Sequence, residues 1–532
     1  MPPRLIVLGW DSATFDVADP LMDEGRLPAL SSLRDRGWRA PLRSTWPPMT
    51  DSAWTCAFTG TNPGTHGIFG SWYRDPGGYE YRYFSSRDRR ASTLWEMTKG
   101  VRHVVWNVPM AFPATSIDGA MVSGYGAPPG ARFCEPPELQ DEIEKRWPLE
   151  DLLDRAPHTT LEQFRDDLIR GLEAQAEALP WVIERTGADS LVAVWPHIDR
   201  AQHFFWRFRT TDHELAGAID DVYEAMDSAT GRIMEAFPEA NVLVVSDHGA
   251  GPLHGDVNLG GWLTRNGYAT RTDRTEASVA ALAWKLPPPV RRFAKRFAPG
   301  LARKAYAATL GGQLASFDWS RTRVFFGVHA DIWLNLEGRE PQGIVDPDDA
   351  PALLAELKEG LLGITDPRTG ANVFGGAWTR DEMYSGPASE TGPDMMLDTW
   401  SAGYRVAPGR VETDDDVIAP APLSGVNEPW SSDHRPLGIF VGAGPHIARG
   451  SSRELSLYDV CPSALALLEQ AVPAGLDGRA ATESFEPSWL AEHPVTSTSR
   501  STNAGATSAA GEFSEDEAAA VTSHLKDLGY IE

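Results

Sequence analysis

Three short apolar runs in this chain each end close to an acid, and that repetition constrains the fold more than any other feature. Leu5 to Leu8 leads to Asp11, Leu191 to Trp195 leads to Asp199, and Val242 to Val245 leads to Asp247-His248. Runs of four or five apolar residues are the length of buried strands. A charge at the edge of such a strand is costly unless a ligand or partner neutralises it. Two further segments, Pro48-Met49-Thr50-Asp51 and Ser432-Asp433-His434, complete a set of acids, histidines and a hydroxyl. The combination points to metal-assisted chemistry on an anion.

Val104 to Trp106 and Ile439 to Val441 are further strand candidates, and the segments 160 to 176 and 214 to 236 have helical periodicity. Alternation of this kind predicts an α/β fold, a mainly parallel sheet sandwiched by helices, with ligands bound beyond the carboxyl ends of the strands. We expect one catalytic domain over residues 1–495. Within it, residues 265–315 carry Lys285, Arg291, Arg292, Lys295, Arg296, Arg303 and Lys304 around three prolines, and read as a helical insertion, either a cap or a solvated face. Residues 496–511 read as a flexible Ser/Thr/Ala linker. Residues 512–532 read as a final helix that docks on the body.

Composition bears on partners. The formal net charge of −26 over 532 residues repels nucleic-acid polymers and anionic membranes, while leaving a small phosphorylated substrate compatible with a cation-lined cleft. The three cysteines, Cys56, Cys134 and Cys461, are too scattered for a disulfide framework or a Cys-based zinc motif, so any metal must sit on oxygen and nitrogen. No stretch reaches the length of a membrane span, and the first apolar run is too short for a signal peptide. A cytoplasmic enzyme is the expectation.

Asp199 and His203 are four residues apart, so on a helix they face the same way and can share a cation. Asp247 and His248 end a strand abruptly before Gly249, which reads equally well as half of a metal site or as an Asx turn with a capping histidine. Thr50 begins a segment with helical character that ends at Gly60. At a helix N-terminus the free N–H groups favour an anion, which suits an alkoxide nucleophile or a bound phosphate, while a plain N-cap is the alternative. Six of the 19 tryptophans, at positions 10, 46, 54, 72, 195 and 206, lie near these motifs and fit either core packing or stacking on a flat leaving group.

Taken in order, these motifs resemble the type I phosphodiesterase/nucleotide pyrophosphatase family of the alkaline phosphatase superfamily. The likeness includes Thr59-Gly60, Pro63 and Thr65-His66-Gly67-Ile68 after the threonine, and resumes at 190–260 and 430–447. It implies that Asp199, His203 and His434 hold one divalent ion and Asp11, Asp247 and His248 the other, with Thr50 at the second ion as nucleophile. Asp433 is expected to lie just outside the ligand set. Two Zn2+ ions fit three acids and three histidines, and Mn2+ or Fe fit as well. The resemblance further implies hydrolysis of a phosphodiester or pyrophosphate bond through a phospho-threonine. Diesterases of the family usually carry asparagine 21 positions after the nucleophile, where this chain has Ser71, which can also donate a hydrogen bond. A phosphomonoesterase with the same metals is the alternative, and a non-catalytic phospholigand-binding relative is the reading from another class.

Overall fold

The computed structural model describes residues 2–499 apart from 71, 75, 76, 80, 129, 149–159, 272–316, 328, 407–416 and 421–429. Most of the basic insertion expected at 265–315, the C-terminal helix expected at 512–532 and Ser71 lie outside the described residues. Ser497–Thr498, at the start of the expected linker, pair in parallel with Val472–Pro473.

The described chain divides into two compact units. The first contains Met1–Phe69, Phe84–Gly251 and the chain from His434 onward. Its central sheet is built from β1 (Leu5–Trp10), β2 (Trp38–Arg43), β3 (His103–Trp106), β4 (Gly119–Val122), β5 (Cys134–Glu135), β6 (Ser190–Trp195), β7 (Asn241–Val245), β8 (Leu437–Ala443), β9 (Gly450–Ser451) and β10 (Leu455–Ser456). The spatial order is β9-β2-β8-β7-β1-β6-β3-β4-β5, with β10 also on β2. From β7 to β4 every pairing is parallel. Strand β8 runs antiparallel to β7 and β2, and β5 antiparallel to β4, so the parallel centre is flanked by reversed strands.

Strands β1, β3, β6 and β7 are buried along their full length, which is why they read as continuous apolar runs rather than alternating ones. Helices cover both faces. Helix α1 (Thr50–Thr59) packs on one face through Ala53, Trp54, Ala57 and Phe58. Helices α2 (Leu161–Thr186) and α4 (Ala218–Ala236) pack on the other, with α3 (His197–Phe205) following β6 directly. Each buried leucine on α2, such as Leu168 or Leu172, contributes roughly 1.5–3 kcal/mol by leaving water.

Two helix limits differ from the sequence expectation. Helix α2 runs ten residues past 176, through Pro180, and stops at Gly187, whose φ of 64° is the left-handed cap. Pro180 faces the half-exposed side, where the hydrogen bond it cannot donate costs least. Helix α4 begins at Ala218 rather than 214 because residues 214–217 form a turn.

Close packing of α1 depends on Gly9 in β1. A Cβ at that position would lie 2.5 Å from the Trp54 ring and 2.9 Å from Val194. Trp10, Trp54 and Trp195 are completely buried, so their rings pack in the core.

The second unit contains Gly70–Tyr83 and Pro252–Asp433. Its largest sheet is antiparallel, in the order Val324–Phe326, Asp331–Leu334, Met395–Leu397, Ala377–Thr379. The guanidinium of Arg74 pairs with Glu340 at 2.7 Å, both side chains fully buried, and lies 4.1 Å over the Trp333 ring. Arg339 binds both Glu340 and Asp394. Arg74, Arg339, Glu340 and Asp394 thus form a largely buried ion network, in which losing one partner strands a charge in the interior.

Candidate metal centre and nucleophile

The carboxyl ends of β1, β6 and β7 lie side by side because these strands are neighbours in the parallel sheet. Asp11 follows β1 directly, and its N–H donates to the Trp195 carbonyl on β6. Ser12 then adopts a φ of 67°, a left-handed turn that ends the strand. The Ser12 N–H donates to Asp247 Oδ1 at 3.2 Å, and Gln202 Nε2 donates to the Ser12 carbonyl at 2.8 Å. Three elements are thus tied at the edge of the sheet by one residue.

Helix α3 places Asp199 and His203 one turn apart, with His203 Nε2 3.2 Å from Asp199 Oδ1. His434 arrives from just before β8, its Nε2 3.5 Å from the same oxygen. Its other nitrogen, Nδ1, lies 2.7 Å from the Pro48 carbonyl and donates to it. On the far side, His248 Nε2 is 3.1 Å from Asp247 Oδ2 and 3.7 Å from Asp11 Oδ1, while Nδ1 lies 3.1 Å from the Gly249 carbonyl. A carbonyl accepts only from a protonated Nδ1, so in both histidines Nε2 is the nitrogen turned to the carboxylates and the one a metal ion would take. The rings of His248 and His434 stack at 3.7 Å and join the two sets.

Six of the side chains singled out in the sequence therefore meet as two groups, Asp199 with His203 and His434, and Asp11 with Asp247 and His248. Within each, the ligand atoms lie within 4.8 Å of one another. Asp433 belongs to neither. Thr50, the first residue of α1, places Oγ1 3.5 Å from His248 Nε2. Ser71 cannot be placed against them, since it lies outside the described residues.

Electrostatics differ between the groups. Burial, reinforced by the charge of Asp199, raises the Asp11 carboxyl well above its ordinary pKa, and burial with the charge of Asp11 does the same to Asp247. Burial also acts against an ionised Asp199, but His203 and His434 outweigh it and hold that carboxyl well below the usual range. Burial, with help from His434, holds His248 neutral.

These residues fit divalent cations. Asp11 Oδ1, Asp199 Oδ1 and Asp247 Oδ2 are buried without a hydrogen-bond partner, a costly arrangement that an ion at each group relieves. The donors are carboxylate oxygen and imidazole nitrogen, as suits a borderline or hard divalent ion. All three cysteines are buried, and none belongs to either group.

Several supporting contacts carry no sequence signal. Trp54 Nε1 donates to Asp11 Oδ2 at 2.9 Å, fixing the orientation of that carboxylate. Trp54 lies 43 residues from Asp11, and a tryptophan on a buried helix face reads simply as core. Gln202 and Ser12 are polar neighbours of the ligands with no distinguishing sequence pattern.

A profile of the type I phosphodiesterase/nucleotide pyrophosphatase family matches residues 5–407. The chain belongs to this family. It is a phosphodiesterase/nucleotide pyrophosphatase-type hydrolase with two candidate metal-binding groups. Among solved structures, wild-type alkaline phosphatase PafA is 14% identical with a TM-score of 0.51, over 91% of this chain and 99% of that one, a likeness of fold. Murine ectonucleotide pyrophosphatase/phosphodiesterase 5 is 12% identical with a TM-score of 0.49, over 91% of this chain and 100% of that one. Phosphonoacetate hydrolase from Sinorhizobium meliloti 1021 is 15% identical with a TM-score of 0.47, over 87% and 95%. No curated protein sequence matches the chain. Among the described residues, no helix is long and apolar enough to cross a membrane.

Proposed function

We propose that this hydrolase cleaves a phosphodiester or pyrophosphate bond of a small substrate through a phospho-threonine at Thr50. The observation that carries the reading is the position of Thr50 Oγ1, at the first residue of α1 and 3.5 Å from His248 Nε2, beside the Asp11 group. Asp199, His203 and His434 would hold one cation, and Asp11, Asp247 and His248 the other. Two such ions, when bound, lower the pKa of an adjacent hydroxyl and neutralise charge on the phosphoryl oxygens. The ligand chemistry suits Zn2+ best, with Mn2+ and Fe as alternatives.

Thr50 Oγ1 attacks phosphorus as its proton departs, and the P–O bond to the leaving alcohol or phosphate breaks. Water then attacks the phospho-threonine, releasing the phosphorylated product and restoring the hydroxyl. Thr50 opens α1, and the N-terminus of a helix favours negative charge. Burial of the ligands excludes bulk water, so the helix dipole acts in a low dielectric. The acidic surface and this small, cation-dependent centre favour a low-molecular-weight phosphorylated substrate over a nucleic-acid polymer.

The test is zinc-supplemented hydrolysis of bis-p-nitrophenyl phosphate, with acid-quenched protein analysed by peptide mass spectrometry. We expect a p-nitrophenylphosphoryl group on Thr50 in the native chain, the second aryl ester bond remaining on phosphorus, and Thr50→Ala to lower kcat on the order of 10³-fold. Unchanged turnover in that variant would overturn the nucleophile. A preference for p-nitrophenyl phosphate over the diester would replace the diesterase reading by the monoesterase one, with Ser71 the first residue to exchange for asparagine.

A further inference from the structure

Helix α3 carries a further buried polar side chain between the two ligands it supplies. Gln202 lies three residues after Asp199 and one before His203, with no surface exposed. Its Nε2 donates to the Ser12 carbonyl at 2.8 Å and lies 3.3 Å from Ser12 Oγ. A carbonyl accepts only from the NH2 end of the amide, which fixes the orientation of the side chain. Oε1 is then left buried with no hydrogen-bond partner. Leucine or methionine would fill the same space without stranding an acceptor, so what the amide contributes is its donor.

That donor holds the turn on which the Asp11 group depends. Ser12, with its left-handed φ of 67°, makes two donations of its own, N–H to Asp247 Oδ1 at 3.2 Å and Oγ to the Gly249 carbonyl at 3.4 Å. The same Gly249 carbonyl accepts from His248 Nδ1. With Asp247 Oδ1 engaged by Ser12 and Asp11 Oδ2 by Trp54, the oxygens left without a partner are Asp247 Oδ2 and Asp11 Oδ1. Those two lie 3.1 and 3.7 Å from His248 Nε2. The Ser12 N–H thus selects which Asp247 oxygen faces the imidazole, and Gln202 fixes Ser12.

We propose that Gln202 is a positioning residue for the group of Asp11, Asp247 and His248, acting through Ser12 from the helix that supplies ligands to the other group. The inference rests on the two-cation reading given above. Asp199 and His203 face each other across one turn of α3 and need no tie from the amide. Asp11 and Asp247 instead arrive from separate strands, β1 and β7, and their oxygens must be held in place by groups behind them. One side chain on α3 thereby registers the second group against the first.

The test is competition for zinc between a chromogenic chelator and two full-length chains that each keep one intact group. Asp199→Asn leaves Asp11, Asp247 and His248, and Asp247→Asn leaves Asp199, His203 and His434. Adding Gln202→Met to the first should weaken its zinc affinity about fivefold, the worth of one neutral hydrogen bond. Adding it to the second should change affinity by less than about twofold, because those ligands do not depend on that bond. Ser12→Gly in the first chain keeps the left-handed turn, the carbonyl that Nε2 reaches and the N–H that Asp247 accepts, and should hold affinity within about twofold. Melting temperatures with chelator present establish that each variant is folded, and if Gln202→Met is not, Gln202→Leu is assayed in its place. Equal losses in both chains would show that the substitution merely loosens α3. No loss in the first chain, or as large a loss from Ser12→Gly, would show that the bond to the Ser12 carbonyl positions nothing. Each of these results overturns the proposal and leaves the Thr50 reading standing. Failure of the single-group chains to bind zinc with Gln202 in place would sink the cation assignment on which both rest.

Discussion

The two metal-binding groups use the same kinds of donor in opposite proportions. Asp199 is one carboxylate between two imidazoles, His203 and His434, whereas Asp11 and Asp247 are two carboxylates sharing one imidazole, His248. In the first group the histidines draw the acid down to an ionised state even in the interior. In the second, burial pushes both acids up, reinforced at Asp11 by the charge of Asp199 and at Asp247 by the charge of Asp11. One group is balanced by its own protein partners, and the other pairs two acids whose ionised forms need either protons or a cation. That pair lies beside Thr50, where a hydroxyl must be made nucleophilic.

The largest expected effect concerns catalysis. Asp247→Asn should reduce metal content from two ions per chain toward one and lower kcat on the order of 10³-fold, measured by elemental analysis and diester hydrolysis. Full metal content with native rates would break the comparison at its root.

A second expectation follows from the signs of the shifts. The raised carboxyls of Asp11 and Asp247 favour the folded metal-free chain below about pH 4, and that contribution is lost as pH rises through their raised folded values. Asp199 acts conversely, stabilising above about pH 4 and losing its effect as pH falls through its lowered value. Adding zinc should therefore raise the melting temperature more at pH 8 than at pH 5, with proton competition at the ligands acting in the same direction. An equal or larger shift at pH 5 would refute it.

Smaller and more discriminating is the pair of variants Asp247→Asn and Asp199→Asn in the metal-free chain. The first removes a repelling charge and should raise the melting temperature by a few degrees. The second deprives two imidazoles of their carboxylate and should lower it by about as much. Differential scanning of both proteins with chelator present decides the matter, and shifts of the same sign would contradict the charge balance. Smallest is Trp54→Phe, which keeps the ring but deletes the donor to Asp11. It should weaken zinc binding about tenfold by titration with little change at the Asp199 group.

How far the sequence anticipates this arrangement depends on the range of the interactions. The five strand candidates all lie within observed strands, because a strand buried on both faces must be apolar throughout. Asp199 with His203 is visible for a local reason, four residues on one helix. The partition of the remaining ligands is not local. His434 reaches Asp199 from before an antiparallel strand, and Asp11 meets Asp247 only because β7 pairs with β1. Spacing cannot reveal those pairings, so the grouping had to come from family resemblance. The reversed flanking strands and the continuation of α2 through Pro180 were likewise invisible, since both are set by what packs against them. Trp54 reads as core or as a stacking ring rather than as a donor to Asp11, and Gln202 carries no signal, because their partners are distant in the chain.

Gly9 shows how narrow the tolerances are. The indole of Trp54 rests where any side chain at position 9 would stand, so the absence of a single methyl group acts as the clearance between helix and sheet. Gly9→Ala would act as a wedge under α1, tilting the Thr50 end and pulling the indole N–H away from Asp11 at once. A change with no chemistry of its own would thus uncouple the nucleophile from its metal ligand, and a scan for inactivating substitutions should find this glycine as sensitive as the acids it serves.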